Sequence, residues 1–434
     1  MNSRPLIGAM AILAVAALTT ACSPGGGGSG SESGSTSGQT LTVWYNSADS
    51  EAQLAVYERY EEESGNTLNL VAIPADGFEN QVTTKWATGD RPDILRYHST
   101  SLFLALNPAK NLQDLSDQAF ASHSGEVYKS GAASYDGKTY GAVTTLPTQF
   151  GIYYNKDVLA KAGVEAPQTF EDIEAACVAI RDALPDVTPL WESGGSSWPT
   201  QILPLMYLAD ANKGNAYADD LLSQDESLAD PDGPLVAAIA EYDKLREDGC
   251  FNSDITTAKF EDSVRAVADG TAAMVALHSA VLPMFNEALG GAATTDAKIG
   301  WANPSTEDSV SVWSPPMATY APKTGDADRE AAALDFIDYL TGDGYQQFID
   351  EAALFPIIEG AKDPAGAQEL MITIKDAYLA SASPAFNSNL VGFNATFDKT
   401  MGQVIAGQLD PEGAGELSQQ QLEQGAQTAG LPGW

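Results

Sequence analysis

The chain has 434 residues, with 22 Lys or Arg against 59 Asp or Glu and a formal net charge of −37 at pH 7. Such a surface repels nucleic acid and anionic lipid, so the composition excludes a nucleic-acid-binding role and a basic membrane-docking one. Beyond the leader described next, ~395 residues are too many for one ordinary core, and two lobes are expected.

A single charge, Arg4, precedes an apolar run from Leu6 to Leu18. The run is too short to remain as a membrane-spanning helix and has the pattern of a signal peptide. It ends in Leu18-Thr19-Thr20-Ala21-Cys22, which resembles the lipobox at which bacteria attach diacylglycerol to a cysteine before cleavage. Residues 23 to 39 are a Gly/Ser segment with nothing to bury, so they read as a flexible tether. The organisation expected is a signal peptide over 1–21, then a lipidated Cys22 and tether over 22–39. The mature chain would sit at the outer face of the cytoplasmic membrane, contacting it through lipid only; two acyl chains hold where one does not. With Cys22 acylated, Cys177 and Cys250 remain, and in an oxidising compartment they are expected to form a disulfide.

After the tether, Leu41 to Tyr45 is a β-rich run, followed by a helical pattern over Glu51–Glu63 and a second strand over Leu68–Ile73. Ser50 stands three residues before Gln53, a capping-box spacing, and Gly65 is a natural helix stop. A helix over Phe78–Thr88 and a strand over Asp93–Tyr97 continue the alternation. Such alternation predicts mostly parallel sheets flanked by helices, with ligand beyond the carboxyl ends of the strands. Farther on, helices are predicted over Thr169–Ala183 and Pro234–Asp248, with an acidic loop from Asp219 to Asp232 between them. Glu261–Asp269, Arg329–Leu340 and Gly344–Ala352 read as further helices, Ala272–Leu277 as an apolar run, and 364 to 425 as wholly helical.

Several segments occur in a telling order: LTVWYNSADSEAQLAVYERYEEESG at the start, TGDRPDIL at Thr88–Leu95, and YDGKTYGAVTTLPTQFGIYYNKDVLAKAGVEAPQTFEDIEAA at Tyr135–Ala176. ADGTAAMVAL (Ala268–Leu277), MATYAPKTG (Met317–Gly325) and AALDFIDYLTGDGYQQFI (Ala332–Ile349) follow. In this order they resemble the family 1, maltose-binding-protein-like extracellular solute-binding proteins of ABC importers. The resemblance implies an α/β, type II periplasmic-binding-protein-like fold of two lobes joined by a hinge. It places chain crossings near Leu146–Gln149, Ser314–Met317 and Phe355–Ile358. Lobe one would be 40–147 with 315–356, and lobe two 148–314 with 357–434. It also implies a solute bound in the cleft, hinge closure over it, and delivery to the permease membrane subunits.

A sugar presents apolar C–H faces and a rim of hydroxyls, which call for aromatic platforms beside carboxylates and amides. Candidates at cleft positions are Asn46 and Ser47 after the first strand, Phe78 and Glu79 after the second, His98 after the third, and Gln149 at the first crossing. In lobe two they are Glu192, Trp198, Trp301, Trp313 and Phe393, with His278 taking over where the family's aromatic is missing and Ala280 stands near its place. Trp44 and Trp86 read as core, and Arg91 with Asp93 as a structural turn before the third strand. These features point to a monomeric binding protein for a sugar or oligosaccharide, without cofactor or metal. Polyamine or ferric iron, the latter suggested by the adjacent Tyr153 and Tyr154, are the alternative solutes. The chain lacks G-x-S-x-G, H-E-x-x-H, P-loop and C-x-x-C signatures, and His98, His123 and His278 share no ligand spacing. A glycoside hydrolase needing only two opposed carboxylates is the enzyme alternative.

Overall fold

The computed structural model describes residues 36–75, 77–124, 132–307, 310–431 and 433–434. The expected signal peptide, Cys22 and most of the expected tether lie outside them. Thirteen strands are named in chain order: β1 Thr40–Asn46, β2 Thr67–Ile73, β3 Ile94–Tyr97, β4 Ser134–Tyr135, β5 Lys138–Thr139, β6 Gly141–Ala142, β7 Thr148–Asn155, β8 Thr188–Trp191, β9 Ala272–His278, β10 Ile299–Ala302, β11 Ser311–Ser314, β12 Ala318–Tyr320 and β13 Ala382–Pro384.

They form two large sheets and a small hairpin. The first sheet has the order β2-β1-β3-β12-β6, and the second β13-β11-β7-β9-β8 with β10 on β7. Both are mixed. β1 is parallel to β2 and β3, as the βαβ pattern predicts, but β12 runs antiparallel to β3. In the second sheet β7 is antiparallel to β9, β10 and β11, and only β8–β9 and β11–β13 are parallel. The mostly parallel expectation therefore holds for the opening β-α-β-α-β run alone. β7 and β12 enter their sheets directly from a crossing rather than through a helix on the same sheet, and so arrive reversed.

Period-two alternation sorts the first sheet's residues into two cores. Leu41 and Val43 face the helices Glu51–Ser64 and Ala327–Thr341, where Tyr57, Tyr60 and Phe336 pack together. Trp44 points the other way and meets Phe78, Val82 and Trp86 of the helix Phe78–Ala87. With both faces covered, Trp44 and Trp86 are core, and the Trp86 indole N–H donates to the Leu106 carbonyl at 2.9 Å. Asp93 accepts from the Thr42 N–H at 2.8 Å and pairs with Arg329 at 3.1 Å, while Arg91 lies over the Trp86 ring. Both turn residues thus have structural work. The second sheet likewise separates a core of Phe150, Ile152, Leu190 and Met274 from one of Tyr153, Val275, Leu277 and Trp301.

The helix Glu51–Ser64 starts as read, with the Ser50 side chain accepting from the Gln53 N–H and Gly65 closing in the left-handed conformation. The Gln53 amide does not return the bond, so the capping box is half made. Thr169 and Asp172 make a complete one for the helix Phe170–Ala183. In the β4–β5 hairpin Asp136 and Gly137 both have positive φ, the geometry of a two-residue turn matched to strand twist. Cys177 on the helix Phe170–Ala183 and Cys250 are disulfide-bonded, with Cα atoms 5.6 Å apart.

Two expectations are corrected. The acidic loop begins as a helix, Ala216–Leu222. The stretch 364–425 is not wholly helical: helices Glu369–Ala380 and Phe397–Ile405 are separated by β13 and by a turn at Gly392, and the helix Pro411–Ala429 follows after a further turn. There Gly392 has φ 83°, and a Cβ would stand 2.2 Å from the Gln421 carbonyl oxygen, so close packing against the last helix interrupts the pattern. Near the crossing expected at Phe355–Ile358 the contacts run to the first sheet. Ile357, Ile358 and Ala361 still pack on the first sheet's core, and the Tyr345 hydroxyl accepts from the N–H of Ile357 and of Ile358. Only from Gln368, bonded to Asn286 and Asp296, does the chain join the second sheet's side.

Candidate functional site

The carboxyl ends of β1, β2 and β3 open on one edge of the first sheet. The start of β7 and the ends of β8 and β9 open on one edge of the second. The linking segments run side by side: Thr148 pairs with Ser314, the Leu146 N–H donates to the Phe355 carbonyl, and Thr145 bridges Pro356. The Ser99 hydroxyl donates to the Pro316 carbonyl at 2.6 Å. Across the gap the Asn394 amide donates to Thr100 and Ser101. A cleft between the two edges, floored by these linkers, is the candidate site.

On the first edge, the half-buried Asn46 accepts from the Ala48 N–H, and the exposed Ser47 accepts from the Ala75 N–H. Their loop is anchored from beneath by a buried ion pair, Arg96 to Asp49 at 3.0 Å. Glu79 and His98 meet at 2.7 Å. Burial pushes the Glu79 carboxyl up, but the hydrogen bond and charge of His98, its own backbone N–H and Lys399 outweigh this and hold it below the usual range. Phe78 is fully enclosed and stacks beneath Tyr97 and His98, so it supports the pair and offers no open face, against the expectation.

On the second edge, Trp198 and His278 lie tilted against each other at 31° with centroids 4.9 Å apart, and Phe260 meets Trp198 edge-on at 5.3 Å. Both Trp198 and His278 keep a partly exposed surface. Burial pushes the His278 imidazole down to about 4, so it is neutral at physiological pH. Trp198 owes its place to the loop before it. Gly194 and Gly195 donate to the Ile255 and Ala258 carbonyls, and a Cβ on either would lie within 2.6 Å of a backbone oxygen. Ser197 then takes φ 64° and ψ −68°, a strained conformation that turns the chain into Trp198.

The remaining candidates are not open to a ligand here. Glu192 is buried, accepting from the Ser193 N–H at 2.6 Å and from the Tyr242 hydroxyl at 2.9 Å, and burial pushes its carboxyl up to about 7. It ties β8 to the helix Pro234–Glu247 instead of facing the cleft. Gln149 is buried with its amide turned back on the Pro147 carbonyl. Trp301 lies in the second core, its indole covering Gly151 so closely that no Cβ fits there. Trp313 is buried on β11 with its edge toward Tyr378. Phe393 is fully buried between Phe386 and Phe397. In each case an aromatic or amide near a strand end serves packing, which spacing cannot distinguish from an open platform. Tyr153 is buried against Phe285 while Tyr154 points to the opposite face of β7, so the adjacent tyrosines do not converge on one cation. Sequence reasoning missed Thr100, Ser101, Asn387 and Asn394, polar residues that meet only after folding.

The model of the family described as "Bacterial extracellular solute-binding protein" matches residues 55–372. The chain belongs to that family. A "Multiple sugar-binding protein" of Streptococcus mutans is 23% identical over 225 residues, covering 51% of this chain and 52% of its own. This family member thus spans about half the length of that curated relative. Among solved structures, a chitin oligosaccharide binding protein superposes with a TM-score of 0.75 at 21% identity, over 89% of this chain and 98% of its own. A sugar transporter from Bacillus licheniformis, in complex with stachyose, gives 0.66 at 18% identity over 88% and 98%. These likenesses show the fold of the family member: two lobes with a cleft between them.

Proposed function

We propose that this protein captures a sugar or short oligosaccharide in the interlobe cleft and delivers it to the membrane subunits of an ABC importer. What supports the reading is the chemistry gathered at the two sheet edges. A tryptophan tilted against a neutral imidazole, Trp198 beside His278, supplies apolar ring surface for sugar C–H groups. The Glu79–His98 pair, with Asn46 and Ser47 nearby on the same edge, supplies acceptors and donors for hydroxyls. The family is a substrate-binding one, and the named relatives bind sugars. In this reading lobe one comprises 40–147 with 315 to about 362, and lobe two the rest of the folded chain. The monomer is held at the outer face of the cytoplasmic membrane by lipid on Cys22.

Thermal unfolding against mono- and oligosaccharides, with polyamines and ferric citrate as controls, tests the substrate class. A ligand at 100 times its dissociation constant that binds only the folded state adds about 2.7 kcal/mol. For a chain of this size that is a rise of a few degrees. The expected result is a rise with a sugar, without turnover of that sugar. A rise with a polyamine or iron alone would move the protein to another solute class, and turnover would make it a hydrolase.

A further inference from the structure

The bridge across the cleft has a construction beyond a chance contact. The Asn394 Nδ2 donates to the Thr100 Oγ1 at 3.2 Å and to the Ser101 Oγ at 3.0 Å, joining the segment after β3 to the C-terminal part of lobe two. Its orientation is dictated from behind, because Asn394 Oδ1 accepts from Asn387 Nδ2 at 3.0 Å, which leaves only the amide nitrogen to face the other lobe. Asn387 in turn donates to Gln201 Oε1 at 3.2 Å. Gln201 ends the short 3-10 turn Trp198–Gln201, so the relay begins on the turn that carries the Trp198 platform.

The holder is rigid. Gly392 and Gly425 pack backbone to backbone, with no room for a Cβ on either, and the Thr396 hydroxyl donates to Gln421 Oε1 at 2.7 Å. On the receiving side Thr100 and Ser101 are each 9% exposed and are set by the turn that opens the 3-10 helix Ser101–Leu106. Hinge opening separates these groups, whereas the bonds within each lobe survive it. Nearby, Asp398 and Lys399 of lobe two lie close enough to Glu79 for their charges to act on one another, so the same edge of the cleft is crossed electrostatically as well.

We propose that Asn394 is the latch of the closed cleft, with Asn387 and Gln201 as the positioning residues that aim it. This rests on the capture reading above. Seating a solute on Trp198 steadies the turn that carries Gln201, and through Asn387 the latch, so closure and occupancy favour each other.

Three variants of the full chain test it: N394A, the pair T100A/S101A on the opposite lobe, and all three substitutions together, each checked for folding by circular dichroism. With the sugar identified by thermal unfolding, N394A and T100A/S101A are each expected to weaken binding about tenfold, mainly through faster release. Because both remove the same interaction, the combined variant is expected to be no weaker than either. Wild-type affinity in N394A, or losses that multiply in the combined variant, would overturn the latch. If N394A does not fold, T100A/S101A decides by the same tenfold criterion. If no sugar binds the wild type, the capture reading has failed, and small-angle scattering decides the latch alone: a larger radius of gyration in N394A and in T100A/S101A supports it, and an unchanged radius overturns it.

Discussion

Replacing Trp198 with alanine is expected to weaken sugar binding about a hundredfold, close to 2.7 kcal/mol, the scale of a binding hot spot. Two losses combine. The sugar forfeits a stacking surface, and His278 loses the ring that covers it at 4.9 Å, so its neutral imidazole becomes free to hydrate and turn. Trp198 also packs against both cores of the second lobe, so W198A is expected to lower the melting temperature by several degrees. Phenylalanine keeps a flat apolar face and should restore most of the affinity, which separates the platform role from simple packing. Calorimetric titration of W198A and W198F against the wild type checks this. Equal affinity in all three would place the sugar elsewhere.

The second large effect lies in Glu192. Its folded-state carboxyl titrates at about 7, above the 4.5 of a free glutamate, because burial penalises the charged form. Between those values the folded chain holds a proton that the unfolded chain has released, so stability falls as pH rises through the window and levels off above pH 7. The loss is about 3 kcal/mol on the scale of 1.36 kcal/mol per pKa unit. Glu241, raised to about 7 by burial and by the neighbouring Glu174, adds a slope of the same sign. His278 opposes both: its depressed value means stability present above the free histidine's 6.5 and lost as pH falls toward 4. The wild-type curve therefore mixes opposing terms, and the difference between wild type and E192Q isolates one. Glutamine can still accept from the Ser193 N–H and can donate to the Tyr242 oxygen, as the protonated acid can, and any bond lost from the Tyr242 hydroxyl lowers stability by an amount that does not depend on pH. Urea unfolding from pH 5 to 8.5 should show E192Q gaining on the wild type as pH rises, by up to about 3 kcal/mol. A constant difference across that range would contradict the assignment.

Much of the first lobe was legible because local signals and tertiary demands agree there. Ser50 and Gly65 bound the first helix, Leu41 and Val43 alternate with Trp44, and Asp136-Gly137 makes the hairpin turn. Legibility fell where tertiary contacts override pattern. Nothing local to 364–425 announces that Gly392 must touch Gly425, yet that contact breaks the helical run. Nor does any local signal announce that the Tyr345 hydroxyl holds the N–H groups of Ile357 and Ile358.

The site divides along similar lines. Glu79 and His98 were readable as residues just past strand ends, and the structure brings them together. Trp198 and His278 lie 80 residues apart in sequence, and nothing but the fold shows that their rings meet. Phe78, Trp301, Trp313 and Phe393 were placed at the cleft as Trp198 was, but are buried. A strand-end position says where a residue is, not which face its side chain takes, and Glu192 is the clearest example. Asn394 carried no signal at all, since its role depends on partners nearly three hundred positions away.

The most direct test of the central claim is isothermal titration of the protein with a panel of oligosaccharides. One of them is expected to bind with one-to-one stoichiometry and a negative heat-capacity change, the mark of apolar surface buried against Trp198, and that signal is expected to be lost in W198A. No heat with any sugar, or binding that survives W198A unchanged, would contradict it.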